Sequence, residues 1–164
     1  MDGKFIIAVD LGGTNLKIAL LNLRYRILYR KILMTKRFVS KESLIDAIVI
    51  AIKNVIQEKK LNKTNTLGIG LGLPGPIDVQ EGRVHFFPNI PGWKDVGLKD
   101  ILAKKLKLPV YLDNDANLMS LAEHRMGAAR GAKNAICITL VQAWAVGLSL
   151  GVSFIAEKVM LPEK

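Results

Sequence analysis

The chain has 164 residues, half of them hydrophobic and about a quarter charged, which excludes a disordered or low-complexity protein and suits one domain, or one and a half, with a sizeable core. Its formal net charge of +10 comes from basic residues spread over 24–37, 53–63, 99–107 and 125–133; with no long run or aromatic-interleaved stripe, these read as solvated faces and not as a nucleic-acid surface. Cys137 is the single cysteine, so a disulfide framework and a cysteine metal site are excluded, and Met1 to Asp10 lacks a signal-peptide pattern, which favours the cytoplasm.

Phe5–Leu11 is an apolar strand with Asp10 near its end, followed by Gly12-Gly13-Thr14 and a second apolar run, Leu16–Leu21. The pattern predicts a β-hairpin with a polar tip. Such a tip suits phosphate. Gly12 and Gly13 let the backbone come close and aim N–H groups at an anion, Thr14 adds a hydroxyl, and Asp10 can hold Mg²⁺ through water. The same residues also describe an ordinary glycine hairpin.

Beyond the polar turn Asn22–Arg24, Ile27–Met34 is a third strand. Leu44, Ile45, Ile48, Ile52, Val55 and Ile56 recur at helical spacing, predicting a helix over Lys41–Lys59 capped by Ser40 or Ser43. Thr66–Leu73 is a buried strand running into Gly72-Leu73-Pro74-Gly75-Pro76, a rigid turn of the kind found where ligands meet α/β sheets, or a plain turn. Asp78 to Pro91 reads as a loop with a short strand near Val84. In Asn89-Ile90-Pro91-Gly92-Trp93 an amide lies beside an aromatic, which suits sugar hydroxyls, although Trp93 can equally serve as a loop anchor.

Leu98–Leu106 is a short amphipathic helix, Pro109–Asp113 a strand, Asp115–Met126 a helix closed by Gly127, and Ala135–Leu140 one more strand. Asp113-Asn114-Asp115-Ala116-Asn117 therefore falls at a strand-to-helix junction. There the helix dipole favours an ionised carboxylate, able to take a proton from a hydroxyl that attacks phosphorus. Helix capping by Asn or Asp is the plainer reading of the same residues. His85 and His124 lack partners at metal spacing. Three meandering strands followed by alternating helix and strand predict an α/β layer with a mixed sheet.

Taken together and in this order, Asp10-Leu11-Gly12-Gly13-Thr14, Gly72-Leu73-Pro74-Gly75, Asn89-Ile90-Pro91-Gly92-Trp93, Asp113-Asn114-Asp115-Ala116-Asn117 and Gly127-Ala128-Ala129-Arg130-Gly131 resemble the ROK family (repressor, open reading frame, kinase) from about Ile6 to Leu140. Asp113 departs mildly, since family members more often have Glu there. The resemblance implies a ribonuclease H-like, actin-like ATPase lobe of the sugar-kinase type over residues 1–113. Residues 114–140 then form a hinge helix and the first strand of an incomplete second lobe. It implies ATP-dependent phosphorylation of a hexose, most simply glucose, with Mg²⁺ accompanying ATP. Asp10, Gly12, Gly13 and Thr14 would face the nucleotide phosphates, Gly75, Asn89 and Asn114 the sugar, and Asp115 would be the catalytic base. The implied partners are a hexose and ATP, with neither nucleic acid nor membrane, and a homodimer is compatible with a longer parent. Family repressors carry a helix-turn-helix ahead of the first motif; only Met1–Phe5 precede Ile6, so none is expected in this chain.

The resemblance stops after Leu140. A second phosphate loop, Gly-Thr-Gly-x-Gly-Gly-Gly, is expected where the chain has Val141-Gln142-Ala143-Trp144-Ala145-Val146-Gly147. Those residues can be encoded by GTA CAG GCG TGG GCG GTG GGN. One restored G in front turns the same bases into Gly-Thr-Gly-Val-Gly-Gly-Gly. The codons under Pro162-Glu163-Lys164 likewise can read Ala-Gly-Glu, the start of a later family motif. Residues 141–164 are therefore expected to be an out-of-frame tail. The large lobe, its adenosine pocket, its later sugar contacts and the family's zinc motif are then missing, and little or no kinase activity is expected. On hydropathy alone, uncharged Ala135 to Ile155 is also long enough for a membrane span. A sugar-binding or regulatory fragment is the alternative to an enzyme.

Overall fold

The computed structural model describes residues 3–12, 15–34, 40–87, 90, 92–140, 144–150 and 153–157. The chain divides into two compact units, Met1–Asp113 and Asn114–Lys164.

The first unit is built on β1 (Phe5–Leu11), β2 (Asn15–Asn22), β3 (Ile27–Met34), β4 (Thr66–Leu73) and β8 (Val110–Asn114), in the order β3-β2-β1-β4-β8. β1 pairs antiparallel with β2 and parallel with β4, and β2 pairs antiparallel with β3, so the sheet is mixed as expected. Alternation explains its layering. Phe5, Ile7, Val9 and Leu11 of β1, with Leu16, Ile18 and Leu20 of β2, are buried, whereas Asp10 and Lys17 point outward.

The buried face is covered by α1 (Lys41–Glu58), whose Leu44, Ile48, Ile52 and Val55 share one core with Ile69, Leu71 and Leu73 of β4. Each fully buried aliphatic side chain contributes roughly 1.5–3 kcal/mol. Ser40 caps α1 in a capping box. Its Oγ accepts from the Ser43 N–H at 3.2 Å, and the Ser40 N–H donates back to the Ser43 Oγ at 3.2 Å. α2 (Leu98–Leu106) adds Leu98, Leu102 and Leu106 to the same core. β3 is an edge strand whose Ile27, Leu28, Ile32 and Met34 are exposed on either side of Arg30 and Lys31.

The short strand expected near Val84 is β6 (Arg83–Phe86), and it pairs antiparallel with two strands that were not expected, β5 (Ile77–Asp78) and β7 (Lys94–Val96), in a small sheet. Strands of two or three residues are too short for apolar alternation to announce them.

In the second unit α3 (Asp115–Met126) packs on an antiparallel sheet of β9 (Asn134–Leu140), β10 (Trp144–Leu150) and β11 (Ser153–Glu157). The described residues of the uncharged stretch from Ala135 to Ile155 are in strands, and among the described residues no helix is long and apolar enough to cross a membrane. Glu123 and His124 hold the turn after α3. Glu123 Oε2 accepts from the Ala128 N–H at 2.8 Å, and His124 Nε2 lies 2.7 Å from the Ala132 carbonyl.

Candidate functional site

In the first unit, the parallel pairing of β1 and β4 sets Asp10 opposite Gly72. The turn after β1 and the Pro-Gly turn after β4 therefore leave the sheet side by side, at the carboxyl ends of two parallel strands where α/β proteins bind ligands. Asp10 is half exposed and its Oδ2 accepts from Lys17 Nζ at 2.8 Å, a pair dictated by the Asp10↔Lys17 register.

The role expected of the Gly12 amide needs correction. Its N–H donates to the Asn15 carbonyl at 2.8 Å and closes the hairpin, so it does not face outward to an anion. A tight turn must satisfy its own backbone donors first. Gly13 and Thr14 lie outside the described residues, as does Asn89.

Gly75 is fixed by geometry. It has φ +93°, and a Cβ built there would stand 2.6 Å from the Phe86 carbonyl oxygen. Only glycine permits that approach. The turn is bound to β6 a second time by the His85 N–H, which donates to the Pro76 carbonyl at 3.1 Å.

Trp93 is the loop anchor. It is buried, its ring centroid lies 5.3 Å from that of Phe87, and among the described residues its Nε1 finds no hydrogen-bond partner. Sequence reasoning missed the pair across the neck of this loop. His85 Nδ1 is 2.6 Å from Asp95 Oδ1, while Arg83 Nη1 donates to the Asp95 carbonyl at 2.7 Å. The hydrogen bond from His85 holds the Asp95 carboxyl below the usual carboxylate range, with the charges of His85, Lys94 and Arg83 assisting. No spacing rule links positions 85 and 95; only the register of β6 on β7 does.

The second unit opens with the junction motif. Asn114 is the N-cap of α3: its Oδ1 accepts from the Ala116 N–H at 2.9 Å and the Asn117 N–H at 3.3 Å. The capping reading therefore holds for its carbonyl oxygen. Asp115 is the first helical residue, and its Oδ1 accepts from the Ala116 N–H at 2.8 Å. A carboxylate so placed is favoured by the helix dipole.

A bound Mg²⁺ arriving with nucleotide needs only one or two carboxylates from the protein, since phosphates and water fill the remaining positions. Asp10 fits that demand. Among the described residues no group of three or more potential ligands could hold a metal unaided.

The ROK family model matches residues 6–156, so the likeness continues past Leu140, where it was expected to stop. A glucokinase of Halalkalibacterium halodurans is 37% identical over 140 residues, covering 85% of this chain and 42% of that protein. A xylose repressor of Caldicellulosiruptor bescii is 31% identical over 152 residues, covering 93% of this chain and 36% of that protein. Among solved structures, a ROK family glucokinase from Streptomyces griseus in complex with glucose and AMPPNP superposes with a TM-score of 0.79 at 30% identity, covering 95% of this chain and 48% of that one. The chain spans less than half the length of these relatives, and its fold is that of the actin-like ATPase sugar kinases.

Proposed function

We propose, from the premise that this chain belongs to the ROK family, that its residues form the sugar- and phosphate-facing part of an ATP-dependent hexose kinase, with glucose the first substrate to try. The observation that carries the reading is the Asp10↔Gly72 pairing, which sets the phosphate turn beside the Pro-Gly turn. The glucokinase relatives support it.

In this reading Gly13 and Thr14 meet the nucleotide phosphates, while the Gly12 amide keeps the hairpin in shape. Asp10 meets the water shell of Mg²⁺, which supplies charge neutralisation at the phosphates when bound. Asn89, Asn114 and Gly75 line the sugar. Asp115 accepts the proton of the sugar hydroxyl as its oxygen attacks the γ-phosphorus and ADP departs. Such chemistry depends mostly on positioning and charge neutralisation, so a carboxylate is a sufficient base. A cytoplasmic location suits the use of ATP.

The 164 residues as a polypeptide bind hexose and transfer little or no phosphoryl group. Aligning the γ-phosphate with the attacking oxygen is worth on the order of several kcal/mol, and that orientation needs both jaws of a cleft. Calorimetry with glucose, alone and with Mg·ATP, alongside a coupled assay for ADP, tests this. Glucose binding without sugar-dependent ADP release is expected. Absence of any glucose heat at millimolar sugar refutes the binding half, and sugar-dependent ADP release refutes the other.

A second reading has specific support. Xylose repressors also align over most of the chain, so a sugar-binding regulatory role without catalysis remains in competition. In a version carrying the full kinase length, Asp115→Asn abolishes turnover under the kinase reading and has no turnover to abolish under the regulatory one.

A further inference from the structure

We propose that His85 and Asp95 are a pair of positioning residues: by bridging β6 and β7 at the neck of the loop between Phe87 and Trp93, they set the shape of the sugar side of the site. The proposal rests on the sugar-binding reading above. It goes beyond that reading because neither residue belongs to the motifs that identify the family.

Four observations converge on the pair. The register Val84↔Val96 and Phe86↔Lys94 sets His85 and Asp95 opposite each other, and their side chains meet at 2.6 Å. Asp95 has φ +50°, an unusual conformation for a non-glycine residue, and it is held by bonds at both ends: Oδ1 to His85 and the carbonyl to Arg83 at 2.7 Å. His85 also grips the Pro-Gly turn, since its N–H donates to Pro76, and the next residue, Phe86, presents the carbonyl against which Gly75 lies. On the other side, Phe87 packs at a tilt against buried Trp93, and Asn89 lies between these two residues in the sequence. One cross-strand pair thus connects both stretches assigned to the sugar.

The groups that lower Asp95 come from both strands: His85 and Arg83 on β6 and Lys94 on β7. Toward β5, the His85 N–H donates to the carbonyl of Pro76, just before that strand. Both side chains are about half exposed, so the pair adds little to global stability. Its effect is local, on the geometry of the neck.

The test uses this chain with Trp144→Phe, which leaves Trp93 as the only indole. Two signals are read: the Trp93 indole N–H resonance and the glucose dissociation constant by calorimetry. His85→Ala is expected to shift the Trp93 resonance and to weaken glucose about fivefold, the scale of a half-exposed pair, with a melting midpoint within about 2 °C of the parent. His85→Lys places a donor opposite Asp95 and is expected to restore both signals. Adding Asp95→Asn to His85→Lys removes the restoration. An unchanged Trp93 resonance in His85→Ala overturns the proposal. So does a loss of affinity that tracks a falling midpoint and is not rescued by lysine. If the parent binds no glucose, the sugar-binding reading fails, and the pair is judged on Trp93 alone: a shift in His85→Ala reversed by His85→Lys upholds it, and no shift overturns it.

Discussion

Replacing Gly75 by alanine separates two costs that the fold imposes at one position. The first is conformational: at φ +93° an L-residue costs on the order of 1–3 kcal/mol. The second is steric: the new Cβ would lie 2.6 Å from the Phe86 carbonyl oxygen, a backbone atom that cannot rotate away. β6 must then retreat, and the bond from the His85 N–H to Pro76 is stretched, a loss of about 1 kcal/mol. A total near 3 kcal/mol is expected, a large share of the roughly 5–15 kcal/mol that holds a domain together. Two other glycines are internal controls. Gly92, at φ +73° with none of the described residues within 4 Å of a built Cβ, carries the conformational cost alone, about 1–2 kcal/mol. Gly70, without positive φ and with open space, should tolerate alanine at no cost or gain about 0.5 kcal/mol. Urea unfolding followed by circular dichroism gives the order Gly75→Ala, then Gly92→Ala, then Gly70→Ala. If Gly75→Ala costs no more than Gly92→Ala, the close approach to Phe86 is not a constraint and the tie between the Pro-Gly turn and β6 is wrong.

Asn114→Ala is expected to cost about 1 kcal/mol through loss of the α3 cap, whereas Asn114→Asp retains a capping oxygen and stays within a few tenths; glucose affinity falls in both if the amide meets the sugar, so calorimetry beside thermal melts divides the two roles. The Asp95 carboxyl has its folded-state pKa depressed, chiefly by His85. Its contribution is therefore present above the ordinary carboxylate value of about 3.9 and fades as pH falls through the folded value. The stability gap between the parent and Asp95→Asn should be present above the ordinary carboxylate value and close in stronger acid, and a gap that widens there would falsify the assignment. For residues 141–164, we propose a single-base frame slip: the coding DNA should read the glycine-rich phosphate loop one base out of frame from Val141, and codons that cannot spell it would end that idea.

The elements that could be read from sequence are those long enough to show a period. Phe5–Leu11, Ile27–Met34 and Thr66–Leu73 have the strand limits expected of them, and α1, α2 and α3 follow from apolar spacing with Ser40, and Gly127 beyond α3, marking ends. What escaped depends on contacts between distant residues. β5 and β7 are too short to alternate, and they exist because each pairs its backbone groups with those of β6. The His85–Asp95 pair follows from their register. At the candidate site, composition rightly suggested a hairpin at Gly12 but not that its amide would be consumed by Asn15. Likewise Asn114 was legible as either cap or sugar ligand, and the cap claims its carbonyl oxygen.

β3 has a practical bearing on how this protein behaves in a test tube. An outer strand reading Ile27-Leu28-Tyr29-Arg30-Lys31-Ile32-Leu33-Met34 offers unpaired amides and carbonyls to any passing extended peptide, and six of its eight side chains would favour the union. Two adjacent cations in the middle stand guard: stacking a second copy alongside would bring like charges together. Exchanging Arg30 and Lys31 for threonine leaves the interior of the first unit untouched and removes that guard, so fibrils or inclusion bodies are the outcome to look for.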